Sequence, residues 1–496
     1  MNGVAAGASA SARPERLRKR FTLARVRWRW GRRLTWAGRA CLILFAMVAV
    51  ISANRESGLL TWGALAQVSS AVRGGVQVGV VFLLLPVGAG CWLLGRWLLR
   101  RWLLRGSQRG QWTARLGPLP VVGPLLILAA LTLAHLSPAI GWGDIVFVLA
   151  GLGLLALAYL VVWLDGPSGR ALAGFVALAG GAQSLVGIGQ FIVQRDLGLR
   201  WLGEMALNPT ASGASVLEGS ARILRAYGLM RHPNALGAIL PLSLLAAISL
   251  CARAGGRRRL AWLALIAINM AGLVLSFSRA GWLAALAGLL ILALASRRPS
   301  SQARRAAIRR WTPMVLAAGL VVAGAVSLQP ALFMGRLLGG LGAGSGLEHG
   351  ALAERLFALQ NAWMLIQRWP LWGVGTRQYV LVVADLINVA PRESLLVEST
   401  PLALWAELGL AGPLAWLGKG LALVWLGSHR PAGQTANPDL ALSTAWMAAV
   451  QVVCLFQAFY WPTQELWQGG IWLGVVLGLW ARAAARSTGV PAPGLS

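Results

Sequence analysis

The chain has 496 residues, 57% hydrophobic and only 12% charged, with a formal net charge of +30 and a mean hydropathy of +0.65. Soluble domains carry about 25% charged residues, so an ordinary soluble enzyme is excluded, and so much apolar content equally excludes a disordered chain. A charge of +30 would suit nucleic-acid binding only if the basic residues formed a soluble patch; they lie instead between apolar runs, and no nucleic-acid partner is expected. Length alone would allow two to four soluble domains, whereas the composition points to one large helical membrane domain.

A helix needs about 20 apolar residues to cross the hydrocarbon core. In chain order, spans are predicted at 34–53, 74–95, 116–136, 140–164, 169–193, 232–252, 260–277, 280–296, 313–333, 401–427, 440–460 and 465–480. The expected fold is an all-α polytopic membrane protein of about twelve transmembrane helices, with a large extracytoplasmic loop containing an amphipathic helix. Residues 1–33 form a basic cytoplasmic arm, 34–486 the membrane domain with outer loops at 194–231 and 335–400, and 487–496 a cytoplasmic tail. More than thirty mostly basic or polar residues precede the first apolar run, unlike a cleaved signal peptide, so that run is expected to stay as an anchor. Cys41, Cys91, Cys251 and Cys454 all fall in apolar stretches without C-x-x-C spacing, which suggests neither a zinc site nor a disulfide framework.

Orientation follows from charge. Alternate connections place 31 Lys and Arg on one face against Glu15, Asp165 and Asp439, while the opposite face holds 13 Arg and 12 acids. The positive-inside rule puts the first face, with both termini, in the cytoplasm. Its basic segments, such as Arg96-Trp-Leu-Leu-Arg100, need no role beyond anchoring at anionic headgroups. The outer face differs, because its arginines stand among acids in two long loops, where function tends to sit.

Three constellations there can carry chemistry. In Arg225-Ala-Tyr-Gly-Leu-Met-Arg231-His232-Pro-Asn234, a cationic loop turns into a helix whose first turn suits Pro233, and the amides of that helix start favour an anion beside Arg225 and Arg231. Plain interface anchoring explains the same residues equally well. In Ser276-Phe-Ser278-Arg279-Ala-Gly-Trp282, two spans meet with almost no polar linker, which leaves Arg279 at the membrane boundary, where a guanidinium is costly unless it snorkels or meets a counter-ion such as phosphate.

The third lies in the long loop. After a Gly-rich opening, Leu352, Leu356, Leu359, Trp363 and Ile366 recur at helical spacing, with Glu354, Arg355, Asn361, Gln367 and Arg368 off the stripe. The spacing predicts an amphipathic helix across the outer mouth of the bundle, which either caps it or touches substrate. The loop continues through Trp369-Pro370-Leu-Trp-Gly373-Val-Gly375-Thr-Arg377 and re-enters the membrane through Glu398-Ser-Thr-Pro and Glu407-Leu-Gly409. No Gly-x-Gly-x-x-Gly context, Walker lysine or paired-His spacing occurs, so no nucleotide, metal or other cofactor is expected.

With these pieces in order, the sequence resembles the O-antigen ligase and O-antigen polymerase superfamily of polytopic bacterial glycosyltransferases. The matching motifs are Arg225-Ala-Tyr-Gly with His232-Pro-Asn, Ser278-Arg279-Ala-Gly-Trp, Arg355 through Asn361-Ala-Trp, Pro370-Leu-Trp-Gly-Val-Gly, and Ala406-Glu-Leu-Gly-Leu-Ala-Gly. The resemblance implies an outward-facing site in the bacterial inner membrane that moves a glycan from a polyprenyl-pyrophosphate lipid donor to a hydroxyl on a lipid, glycan or protein acceptor. No nucleotide sugar or metal is implied. Arg225 and Arg279 would stabilise the leaving pyrophosphate, and Arg231, His232, Asn234, Ser278, Arg355, Arg377 and Glu407 would line the substrate site. Where relatives carry His-Asn before the Glu-x-Gly helix, this chain has Glu398-Ser399. A carboxylate can accept the acceptor's proton if partial burial raises its pKa, which makes Glu398 the candidate base and His349 the alternative.

Two other functions remain compatible with the sequence. A transporter of a small solute or inorganic anion would use ionisable groups near the midplane, for which Lys419 and Glu407 are candidates. A non-catalytic scaffold that binds lipid-linked glycan would account for the departure at Glu398.

Overall fold

The computed structural model describes residues 118–136, 142–165, 168–202, 204–210, 215–218, 221–295, 301–338, 346–389, 397–428, 437–459 and 467–487, together with a few isolated positions before 118. The predicted arm, the spans at 34–53 and 74–95, and the tail beyond Ser487 lie outside these residues. The described chain is helical apart from one short hairpin. Its helices are α1 (Leu119–Ala134), α2 (Trp142–Asp165), α3 (Gly169–Val193), α4 (Pro233–Cys251), α5 (Gly256–Leu275), α6 (Arg279–Ala295) and α7 (Ser301–Leu328). They continue with α8 (Pro330–Leu338), α9 (Gly346–Arg368), α10 (Tyr379–Leu386), α11 (Thr400–Leu408), α12 (Ala411–Ser428), α13 (Pro438–Phe456) and α14 (Trp467–Ser487).

Six of these helices, α2, α3, α4, α5, α7 and α13, are long and apolar enough to cross a membrane, and α1 and α6 are shorter apolar helices. The chain is therefore a multi-pass helical membrane protein. Helix α4 is the axis: nearly all of its residues are buried, with α3, α5, α6 and α13 packed around it. A helix apolar on every side is stable there because protein surrounds it. Small residues let the backbones approach; a methyl at Gly281 would overlap the Gly237 carbonyl on α4. Trp446 on α13 fixes the register by donating its indole N–H to the Leu242 carbonyl at 2.8 Å.

The ends that the charge pattern assigns to one face do meet. Asp439 at the start of α13 pairs with Arg253 after α4 at 3.3 Å and with Arg486 in α14 at 3.7 Å, and Asn437 donates to the Ala483 carbonyl. At the opposite end, Thr376 binds the carbonyls of Thr132 and His135 at the end of α1.

Three expectations change. The predicted span 401–427 is two helices, α11 and α12, because Gly409 adopts φ 69° and ψ −169°, a conformation essentially confined to glycine. The predicted loop 194–231 holds an antiparallel hairpin, β1 (Ser215–Glu218) paired with β2 (Ala221–Leu224). On α9, the face packed on protein is Ala358, Asn361, Ala362, Leu365 and Ile366, whereas Leu352, Leu356, Leu359 and Trp363 of the predicted stripe are exposed. The stripe was legible because apolar spacing is local; which neighbour it faces is not.

At Gly409 a Cβ would overlap the Leu371 carbonyl and the Trp372 amide, and the backbone strain alone costs about 1–3 kcal/mol. Gly409→Ala is expected to cut the yield of folded protein sharply and lower its thermal aggregation midpoint in detergent. Gly324→Ala on α7, where nothing lies within 4 Å, should leave both unchanged.

Candidate functional site

The site residues lie in three groups. The first is built on the turn between α5 and α6. Arg225, only 4% exposed, donates Nε to the Ser276 carbonyl at 2.8 Å and Nη2 to Asn234 Oδ1 at 2.8 Å, while the Ala226 amide donates to the Leu275 carbonyl. From the other side, Arg336 at the end of α8 donates Nε to the Phe277 carbonyl at 3.0 Å. Two guanidiniums thus take consecutive carbonyls at the C-terminal end of α5, where a cation is favoured by the helix dipole. Phe277, between them, has φ 48°, costly for an aromatic residue. It is held in an aromatic cluster with Phe191, Trp282 and Phe333, the last with ring centroids 4.9 Å away.

Immediately after the turn, Ser278 is buried and accepts from the Gly281 amide, opening α6 with Arg279 as its first residue. Arg279 is half-buried. His232 caps α4 by accepting the Asn234 amide on Nδ1, so Arg225, Asn234, Ser278 and Arg279 share one junction of α4, α5 and α6. Arg231 is exposed beside it.

Polar residues inside α3, which the sequence reading passed over, shape this junction. Gln190 accepts the Tyr227 amide, and donates to the Gly228 carbonyl and to Glu204 Oε1, each at 2.8 Å. Gln183 accepts the Leu229 amide at 2.7 Å. Glu204 is buried and also accepts the amides of Leu197 and Leu199. Gln183 and Gln190 are seven residues apart in an apolar span, two turns on one face, and that spacing was the available signal. Burial pushes the Tyr227 phenol above its usual pKa range, with Arg225 pulling the other way, so Tyr227 stays a neutral hydroxyl at neutral pH.

The second group is α9 against the segment leading into α11. Arg355 forks onto Glu398 Oε2, with Nε at 3.0 Å and Nη2 at 2.9 Å. Glu398 is exposed, with 43% of its side chain accessible, so the partial burial expected of it is absent and its environment is set by Arg355. His349 belongs to the first turn of α9, but its side chain lies outside the described residues.

The third group is the Gly-Val-Gly loop docked on the break after α11. The amides of Val374 and Gly375 donate to the carbonyls of Ala406 and Glu407 at 2.8 and 2.9 Å, and the Leu410 amide donates to the Pro370 carbonyl at 3.0 Å. Helix ends leave such carbonyls unsatisfied, and here the loop satisfies them. Arg377, at φ 62°, lies over the Phe147 ring at 4.5 Å, and its backbone N–H donates to the Glu407 carboxylate. Glu407 is 3% exposed and serves this junction. Nearby, Tyr379 donates to the Ala358 carbonyl, and burial raises its phenol pKa. Among the described residues no group of three or more His, Cys, Asp or Glu is placed to hold a metal ion.

No curated protein matches the chain. Residues 262–417 match the family model described as O-antigen ligase, a stretch that takes in the α5–α6 turn, the Arg355–Glu398 pair and the Gly-Val-Gly junction but leaves out Arg225 and Asn234. The resemblance to the O-antigen ligase superfamily read from the sequence is thereby borne out over residues 262–417.

Proposed function

We propose that the protein transfers a glycan from a polyprenyl-pyrophosphate lipid to an acceptor hydroxyl at the outer face of the bacterial inner membrane, with both termini in the cytoplasm. The match to the O-antigen ligase family supports membrane glycan transfer in general. The observation carrying the finer reading is the strained α5–α6 turn, where Arg225 is buried and braced beside the first residue of α6, Arg279. A lipid-linked donor holds its pyrophosphate at headgroup depth. Charge builds on that group as the glycosidic bond breaks, and preorganised guanidiniums stabilise it without reorganising. Arg231, His232, Asn234 and Ser278 shape the same junction, while Arg377 and Glu407 hold the Gly-Val-Gly loop docked after α11.

Glu398 takes the proton of the acceptor hydroxyl, and Arg355 orients it for that step. An exposed carboxylate needs the acceptor to close over it before it becomes an effective base. The acceptor is a hydroxyl on a lipid, a glycan or a protein; the transfer needs no metal ion and no nucleotide.

A transport reading draws on Lys419, which is 2% exposed within α12 with its ammonium 3.8 Å from the Trp416 ring centroid and no hydrogen-bond partner among the described residues. Intramembrane lysines commonly mark ion or substrate pathways. Lys419→Met distinguishes the readings: glycan transfer is expected to persist, and transfer abolished in folded Lys419→Met protein would contradict the assignment of the chemistry to the arginine turn.

Transfer itself is measured with a polyprenyl-pyrophosphate oligosaccharide, reading the modified acceptor on a gel. Arg225→Ala and Arg279→Ala are each expected to remove most product, and Lys at either position to rescue only part, since an ammonium keeps the charge and loses the fork. Wild-type product from both Ala variants refutes the pyrophosphate role.

Glu398→Gln is expected to lower turnover by about 100-fold or more, in the range of general-base removal, with donor binding retained, whereas Arg355→Ala should lower it less. A wild-type rate for Glu398→Gln across pH 6 to 9 removes Glu398 from the chemistry and turns attention to His349.

A further inference from the structure

Helix α9 has three distinct sides. At 3.6 residues per turn, Leu352, Leu356, Leu359 and Trp363 fall within about 60° of arc, and all four are exposed, Trp363 by 52%. The adjacent side, Ala358, Asn361, Ala362, Leu365 and Ile366, closes a small core with Tyr379, Val383, Val397, Ala403 and Ala406 that is separate from the core of the bundle. The remaining side is exposed and mixed, with Gln360, Gln367 and Arg368 beside Ala353 and Phe357. The helix has spent one apolar side on its own protein, and the second is uncovered.

What covers that side is decided by where the helix is tied. Its end runs into Leu371 and Trp372, which are 60% and 74% exposed. Pro370 accepts hydrogen bonds from the Leu410 amide and from the Trp405 indole, and Trp405 meets Trp363 edge-on with ring centroids 6.4 Å apart. Leu410 opens onto α12, whose outward Leu414, Leu421 and Trp425 are exposed along the helix. Exposed apolar residues therefore occur on α12, which packs on α1 and α13, on Leu410 after the break, on Leu371 and Trp372, and on α9. Tryptophans stand among them, as they do at the headgroup level of membrane proteins. Arg368 stacks on Trp369 at 5.1 Å, on the polar flank, where lipid phosphates would lie.

We propose that α9 is an interfacial helix: Leu352, Leu356, Leu359, Trp363, Leu371 and Trp372 seat in the bilayer at the level of the headgroups and upper acyl chains, while Gln360, Gln367 and Arg368 face water. This goes beyond the reading of glycan transfer and stands without it. The seat also fixes the depth of the Arg355–Glu398 pair, which the same helix carries, so acceptor hydroxyls delivered at the membrane surface meet the pair at constant height.

The test uses the full chain in phosphatidylcholine and phosphatidylglycerol vesicles, with an environment-sensitive thiol fluorophore on Leu359→Cys and, separately, on Gln360→Cys. Labelled wild-type protein sets the background from native thiols, of which Cys251 and Cys454 are buried. Lipids with a spin label near the headgroup end of the acyl chain should quench the fluorophore at Leu359→Cys severalfold more than at Gln360→Cys, and a water-soluble quencher should show the reverse order. Equal access of the soluble quencher to both positions overturns the proposal. So does protection of Leu359→Cys that persists in detergent and disappears on dilution, which would assign the face to a second copy of the chain. Neither outcome bears on transfer activity, so the two readings fail separately.

Discussion

The end of the protein that holds the Gly-Val-Gly loop depends on hydrogen-bond closure at one broken helix. Stopping α11 at Leu408 leaves carbonyls that have no intrahelical partner, in a place shielded from water. The amides of Val374 and Gly375 meet two of them, Trp405 and Leu410 return the favour to Pro370, and Thr376 locks the same loop to the end of α1. A backbone crossing this close tolerates no side chain at Gly409, where a methyl would overlap Leu371. The loop between α9 and α10 therefore cannot shift without exposing or orphaning several polar groups at once. That is the physical reason why Arg377, in an unfavourable left-handed conformation, keeps its place beside Glu407.

The same logic operates at the α5–α6 turn with charged donors. Ser276 and Phe277 end a helix against apolar neighbours, and their carbonyls are taken by Arg225 and Arg336. Burying a guanidinium is expensive unless its donors are used, and here each Nε is used on the backbone of the turn and Arg225 Nη2 on Asn234. The strain in Phe277 persists because the two arginines and the aromatic cluster over-determine it. A site assembled this way presents cationic groups with little freedom to move, which suits an anion that arrives already fixed in depth by its lipid.

Glu398 contrasts with both. It sits exposed, with Arg355 as its partner, and an ion pair so open to solvent contributes little to stability. Its geometry is set from α9, an element that closes a small core separate from that of the bundle. The proposed function thus assigns proton acceptance and pyrophosphate stabilisation to separately supported parts of the protein.

Much of this was legible in the sequence. Transfer of apolar residues to lipid is nearly additive along a chain, so α3 begins and ends where its apolar run does, and the alternation of basic connections brings Asp439, Arg253 and Arg486 to one end. The near-absence of a polar linker between two apolar spans marked the turn at Ser276, and Trp369-Pro370 marked the end of α9. Other features were decided only by the tertiary structure. Lipid and neighbouring helices are equally apolar, so hydrophobic spacing revealed the stripe on α9 without telling which apolar side would meet protein. Nor does apolarity signal a helix break: the split at Gly409 exists because a distant loop supplies amides to the severed end. Gln183, Gln190 and Arg336 matter through partners 38 to 59 residues away, and a hydrogen bond across such a distance leaves no trace in the local pattern of the chain.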